Sequence, residues 1–280
     1  MDSQRTSRLL IIGTPIGNLE DLTPRARRTL SELSHLMAED TRETRRLLEL
    51  VGIPLEGKTL HSYATHNMKA ATEFAIRLLE KGESVGLVSD RGMPGISDPG
   101  ALLVKAASEA GFPVVPIPGV SSVTTALSVC GVEASEFLFL GFVPTQSSSK
   151  KEFFERLALS QHPVCFFEAP HRIAKTLIDI KAELPHGSLL IARELSKQFE
   201  TITWTSLSSL DVSSIPELGE FTLVFFQDTP RSTQPTALDE WVTLRLKSDK
   251  DWAKAAGQAL GVAANEAYNA LQRARSQSAT

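Results

Sequence analysis

Short apolar runs alternate with amphipathic stretches along the first 120 residues. Leu9 to Ile12, Leu36 to Ala38, Val85 to Val88 and Val114 to Ile117 each predict a strand, and Leu60 to Tyr63 reads as a further one. Continuous apolar runs such as Leu9 to Ile12 are expected of parallel strands covered on both faces. Between the strands, apolar residues recur at helical spacing. Thr23-Pro24 opens a helix, with Thr as N-cap, Pro at the first helical position, and Ala26, Leu30 and Leu33 as its stripe. Thr44 to Leu50 predicts a second helix, stopped at Gly52-Ile53-Pro54. Asn67 stands as the cap of a third, with Ala71, Phe74, Ala75, Leu78 and Leu79 on one face and Gly82 at its end. Leu102 to Ala110 predicts a fourth, and another follows Ser122. This β-α-β-α rhythm predicts a mostly parallel sheet.

From Phe137 the pattern changes. Phe137 to Leu140 predicts a strand, Gly141-Phe142-Val143-Pro144 a turn, and Thr145 to Lys150 a polar, Ser-rich loop. Helix Lys151 to Leu159, strand Val164 to Phe167, helix Ile173 to Leu184, and strands Leu189 to Ala192, Glu200 to Trp204 and Phe221 to Phe226 complete a second α/β unit. Asp228 to Pro235, rich in Pro, Ser and Thr, reads as a linker. Beyond it, Trp252, Ala255, Ala256, Ala259 and Leu260 form one stripe, Gly261 interrupts, and Ala264 to Leu271 form another. That pattern is similar to a helix-turn-helix unit. The expected domains are residues 1–119, 120–228 and a helical tail, 236–280.

Composition narrows this picture. The chain has 280 residues, 42% hydrophobic and 22% charged, enough to bury a sizeable core, and the length favours two domains. No apolar run reaches the roughly 18 residues that span a bilayer, and MDSQRTSR followed by LLII reads as a polar start and a strand, not a signal sequence. Cys130 and Cys165 sit in apolar surroundings without metal-site spacing, and read as buried free thiols in a reducing, cytoplasmic setting. With a net charge of −4, any nucleic-acid surface must be a local basic patch.

The candidate chemistry gathers at strand ends. Strand-to-helix connections commonly run about 2 to 6 residues, whereas the one after Val88 runs from Ser89 to Pro99 and carries Asp90, Gly92, Pro94, Gly95 and Asp98. Glycines let a ligand approach the main chain and prolines stiffen the loop. A long, rigid loop at the carboxyl end of a strand is where open α/β sheets hold ligands. Gly13-Thr14-Pro15-Ile16-Gly17-Asn18 is neither the dinucleotide fingerprint nor a P-loop. Glu39-Asp40 beside Arg42 fits either a site or a salt-bridged helix start. Glu168 to Arg172, and Arg193-Glu194 with Lys197, load two further strand ends. His171 reads as a structural histidine or as a base. Arg172 has no evident acidic partner in its neighbourhood, and its guanidinium suits phosphate oxygens.

The segments GTPIGNLEDLTPRA, EDTR, SDRGMPGISDPG, PGVSS, GFVP, FFEAPHRI, RELSKQFE and GEFTLVF occur in this order. Together they resemble the tetrapyrrole-methylase superfamily, and within it the ribosomal RNA small subunit methyltransferase I family. The resemblance covers nearly the whole chain, including NEAYNAL near its end. It implies two consecutive α/β domains with the cofactor cleft between them, S-adenosylmethionine as methyl donor, a homodimer, and transfer to the ribose 2′-hydroxyl of a cytidine in the decoding region of small-subunit rRNA. It needs no metal. Carried over residue by residue, it implies cofactor contacts at Ile16, Asp90, Arg91, Gly92, Met93, Ile96, Ser121, Ser122 and Glu168, and RNA contacts at Lys150, Lys151, Arg172 and Arg193. Glu168, His171, Glu194 and Lys197 are candidate bases, between which the residues do not choose.

Two departures stand out. The family's central loop usually has Ala and Thr where this chain has Arg91 and Met93, and the loop after Gly141-Phe142-Val143-Pro144 is usually richer in Arg and Lys. The alternatives are a methylase of a porphyrin-type carbon, whose relatives carry a more glycine-rich first loop, and a nucleic-acid-binding regulator. Only the helical tail suggests the regulator, and it leaves the glycine loops without a role.

Overall fold

The computed structural model describes residues 7–184, 186–227, 249–260 and 262–277. The expected linker, residues 236–248 of the tail and Gly261 lie outside them. The first half alternates β1 (Leu9–Ile12), α1 (Pro24–Glu32), β2 (His35–Ala38), α2 (Thr41–Leu50), β3 (Thr59–Ser62), α3 (Met68–Glu80), β4 (Val85–Val88), α4 (Ala101–Glu109) and β5 (Val114–Ile117). The strands pair in the order β3-β2-β4-β1-β5, all parallel. Side chains alternate along each strand, which explains the two cores. Leu10, Ile12, Leu36 and Val88 face one layer with Leu30 and Leu48. Leu9, Ile11, Met37 and Leu87 face the other with Tyr63 and Leu79.

The chain then crosses to a second layer. Helix α5 (Ser122–Ser128) packs Val123, Ala126 and Leu127 against Cys165, Leu190 and Val224 of the second sheet, and Ile16 joins the same core. That sheet comprises β6 (Leu138–Phe142), β7 (Val164–Glu168), β8 (Ser188–Arg193), β9 (Thr201–Ser206) and β10 (Phe221–Phe226), ordered β6-β7-β10-β8-β9. Only β6 and β7 run parallel; β10 is antiparallel to both neighbours, and β9 to β8. Helices α6 (Ser147–Leu159) and α7 (Ile173–Glu183) bury Leu157, Leu177 and Ile180 with Phe166, Leu189 and Leu223 of its other face.

Four local expectations are corrected. Gly141 is not in a turn: β6 continues through it at φ 66°, with a register irregularity between Phe139 and Phe142, as a β-bulge allows. Ser147 to Lys150 are the first residues of α6 rather than a loop. Helix α2 starts at Thr41 because Asp40 caps it, its carboxylate accepting from the Arg42 N–H at 2.8 Å. Asn67 sits at the N-cap of α3 without capping it; its Oδ1 accepts from the Ala64 N–H at 2.8 Å and its Nδ2 donates to the Ser62 carbonyl at 3.1 Å.

Both cysteines are buried and free. In the tail, α8 (Asp249–Leu260) and α9 (Ala264–Gln277) pair through Ala253, Ala256 and Ala267, with Trp252 and Tyr268 against them. No described helix is long and apolar enough to cross a membrane.

Candidate active site

A cavity of about 410 Å³ lies between the two sheets, within the size range of small-molecule sites. The first sheet presents the carboxyl ends of β1, β2 and β4 and the loop after β5. The second presents the ends of β6 and β7, the segment after β8 and the start of β10, through Phe142, Glu168, Leu195 and Phe221. Because β10 runs antiparallel, its first residue, Phe221, lies opposite both Glu168 and Arg193.

Close backbone contacts hold the loops in place. A Cβ on Gly13 would lie 2.6 Å from the Gly119 Cα, so the loops after β1 and β5 meet only because both residues lack side chains. The Thr14 N–H donates to the Gly92 carbonyl at 2.9 Å and the Gly92 N–H returns to the Thr14 carbonyl at 3.2 Å. The Thr14 hydroxyl adds bonds to the Ser89 and Gly92 carbonyls. Gly92 sits at φ 79°, in the left-handed region that side chains with a Cβ avoid. The long loop is therefore a fixed wall of the cavity.

Three carboxylates from the first half line that wall: Glu39, Asp90 and Asp98. Asp90 accepts from the Asp40 N–H at 3.0 Å, and the Asp90 N–H points to Glu39 Oε2 at 3.5 Å. Burial pushes the Glu39 carboxyl up, reinforced by the Asp90 charge. Burial also raises Asp90, against the opposing Asp40 N–H bond. Asp98 rises furthest, to about 7: burial is the main cause and the Glu39 charge the next, with a Ser89 hydrogen bond working against them. Asp40 takes the helix-start role instead, bonded to Arg42 and held down to about 2 chiefly by that side-chain hydrogen bond.

An ion-pair chain runs beside the cavity, which its members Arg91 and Glu220 line. Arg91 Nε lies 3.0 Å from Glu220 Oε1, Lys197 Nζ 3.2 Å from Glu220 Oε2, and Lys197 Nζ 2.7 Å from Glu194 Oε1. The Glu220 N–H donates to Glu194 Oε1 at 2.8 Å. Burial works to raise the Glu194 carboxyl, but Lys197, the Glu220 N–H and Arg91 together hold it below its ordinary value. Arg91, the departure in the central loop, thus ties the first half to the second sheet. Ser196, at φ 66°, reinforces the junction by donating to Asp21.

Glu168 is buried at the edge of the cavity. Its Oε1 accepts from the Ala169 N–H at 2.7 Å and pairs with Arg172 Nη2 at 2.5 Å, and its Oε2 accepts from the Thr176 hydroxyl at 2.6 Å. This corrects the expectation that Arg172 lacks an acidic partner: the strand end and the following turn bring Glu168 back onto it, and the Val143 carbonyl takes a second bond at 3.1 Å. Arg193 is likewise spent on the Leu218 and Phe199 carbonyls, at 2.6 and 3.2 Å. Lys150 pairs with Asp179 at 2.6 Å. Lys150, Lys151, Arg172 and Lys175 line a second, open cavity of about 670 Å³ on the far side of Glu168.

The model of the family described as Tetrapyrrole (Corrin/Porphyrin) Methylases matches residues 8–211. The ribosomal RNA small subunit methyltransferase I of Neisseria meningitidis serogroup B is 41% identical over 229 residues, 80% of this chain and 78% of that protein. The chain belongs to this methyltransferase I family of tetrapyrrole methylases. Solved structures share the fold at lower identity. The methyltransferase CobJ aligns at a TM-score of 0.61 and 17% identity, over 79% of this chain and 95% of that one. Uroporphyrin-III C-methyl transferase from Thermus thermophilus, complexed with S-adenyl homocysteine, aligns at 0.57 and 16%, over 79% and 97%.

In this methyltransferase I chain, Ile16, Asp90, Arg91, Gly92, Met93, Ile96, Ser121, Ser122 and Glu168 all line the cavity between the sheets. His171, in the short turn Pro170–Arg172, is exposed and is not among the lining residues. Sequence reasoning passed over Asp98, Phe142, Phe167, Leu195 and Glu220 as site residues. Asp98 was noted only as part of the long loop, and Glu39, whose charge acts on it, was weighed with Asp40 as either a site or a salt-bridged helix start. Phe142 was placed in a turn, and nothing local in the sequence signals that its ring meets Phe167 edge-on at 5.3 Å.

Proposed function

We propose that this methylase transfers a methyl group from S-adenosylmethionine to the ribose 2′-hydroxyl of a cytidine in the decoding region of small-subunit rRNA. The cavity carries the reading. Ile16, Val123, Phe142 and Phe167 supply apolar and aromatic surface, the Gly92 main chain allows close approach, and Glu39 and Asp90 supply negative charge suited to a donor with a positive sulfonium. The bound donor supplies an electrophilic methyl group. The chain holds it between fixed loops, and positioning of this kind accounts for much of the acceleration in a displacement reaction. The relatives' shared name supports rRNA as acceptor, and the S-adenyl homocysteine bound to the Thermus thermophilus neighbour supports the donor.

On this reading residues 1–119 and 120–228 act as two domains around one cleft. The chain works as a cytoplasmic homodimer, and RNA phosphate lies along Lys150 and Lys151 beside Arg172. The corrin and porphyrin methylases that share the fold keep tetrapyrrole methylation as the second reading. Incubation with methyl-labelled donor and either small ribosomal subunits or porphyrin precursors separates the two. Label in the rRNA is expected; label in the tetrapyrrole alone sinks the proposal.

A further inference from the structure

The four candidate bases are engaged or lie off the cavity, and of its other carboxylates Asp90 accepts from the Asp40 N–H and Glu39 Oε2 faces the Asp90 N–H. Both oxygens of Glu168 are bonded, Glu194 and Lys197 neutralise each other, and His171 lies off the cavity. We infer that Asp98 is the catalytic base of this site, accepting the proton of the acceptor hydroxyl. The inference rests on the methyl-transfer reading above.

Asp98 lines the cavity from the long loop, directly after Ser97, which is held at φ 64°. A non-glycine residue in that region is strained, and strain of this kind collects at functional sites. Ser97 lies close to Gly141 of the second sheet, its Oγ 3.4 Å from where a Cβ on that glycine would stand. Glu39 from the end of β2 and Ser89 and Asp90 from its own loop act on Asp98; Arg91, Glu168 and Glu220 share the cavity with it, Arg91 paired with Glu220, Glu168 with Arg172, and Glu220 also with Lys197. The cations on that side are already paired, whereas Glu39 and Asp90 both raise the proton affinity of Asp98. A carboxylate with pKa about 7 is matched to general-base work near neutral pH. In the step, the hydroxyl oxygen forms a bond to the methyl carbon as the carbon–sulfur bond breaks. The electron pair of that bond stays on sulfur, and the hydroxyl proton passes to Asp98.

The test measures methylation of small subunits against pH for the wild type, Asp98→Asn and Glu39→Gln, and the unfolding midpoint of the donor-free proteins against pH. The wild-type rate should rise through pH about 7 to a plateau. Asp98→Asn should lose about 10²-fold or more together with that rise. Glu39→Gln, which keeps Asp98 but removes the neighbouring charge that raises it, should move the rise to lower pH. The stability readout has a fixed sign. The folded state holds the Asp98 proton up to about pH 7, while the unfolded chain releases it near 4, so ionising Asp98 destabilises the fold above that window. Asp98→Asn should therefore melt higher than the wild type at pH 8, with the gap closing towards pH 4. Asp98→Asn with wild-type rate and profile, or a melting gap independent of pH, overturns the assignment. Wild-type protein that leaves the RNA unlabelled overturns rRNA as the acceptor, while the donor-free melting curves still report whether Asp98 titrates near 7.

Discussion

Glu168 and Asp98 are both carboxylates at the cavity, and their surroundings give them different work. Glu168 is enclosed by an N–H, a hydroxyl and a guanidinium, so its charge is compensated and it fixes the end of β7. Its partner Arg172 is three-quarters buried. Removing one member of a buried pair leaves an uncompensated charge and costs about 3–5 kcal/mol. Arg172→Ala should therefore lower folding stability by about 3 kcal/mol, read from denaturant unfolding, and Arg172→Lys should recover part of it because a point charge does not reproduce the guanidinium fork. Arg172→Ala with wild-type stability and selectively weakened RNA binding would restore the phosphate role that the sequence suggested. Arg172 alone could not reveal this. Its partner lies four residues back, outside the helix that follows, and only the turn at Pro170–Arg172 brings the two together.

At the scale of the element, the long loop after β4 decides the site. Its length, glycines and position after a buried strand were legible because each follows from local rules of backbone freedom. What it touches was not. The pairing of Thr14 with Gly92 spans 78 residues, and the Arg91–Glu220 pair joins the two halves; neither has a sequence period. Strands β1 and β4 were legible for the opposite reason: burial along their whole length leaves an apolar run with little else to encode. The bulge at Gly141 was misread because glycine marks a turn and a bulged strand equally well. Gly92→Val places a β-branched residue at φ 79°, a conformation it strongly avoids, and so displaces the loop. Calorimetry should show S-adenosylmethionine affinity reduced at least tenfold, with the fold retained by circular dichroism. Wild-type affinity in the variant would remove this loop from the donor site.

At the scale of the molecule, the two sheets are joined by the core around Ile16, Val123 and Leu195 and by the Arg91–Glu220–Lys197–Glu194 chain. One cavity is therefore built from both halves, which explains why no single stretch of sequence contains it. Exposed apolar residues remain on the second half, Trp204 and Phe199 among them. Light scattering at micromolar concentration should give twice the 30.5 kDa of one chain; the mass of a single chain would refute the homodimer. The account's central claim is the identity of the acceptor atom. Small ribosomal subunits labelled by the protein with S-adenosylmethionine can be digested to nucleosides, and the labelled one identified by mass spectrometry. The account predicts a cytidine carrying the methyl group on its ribose 2′-oxygen. A methyl group on a base, or RNA without label, would contradict it.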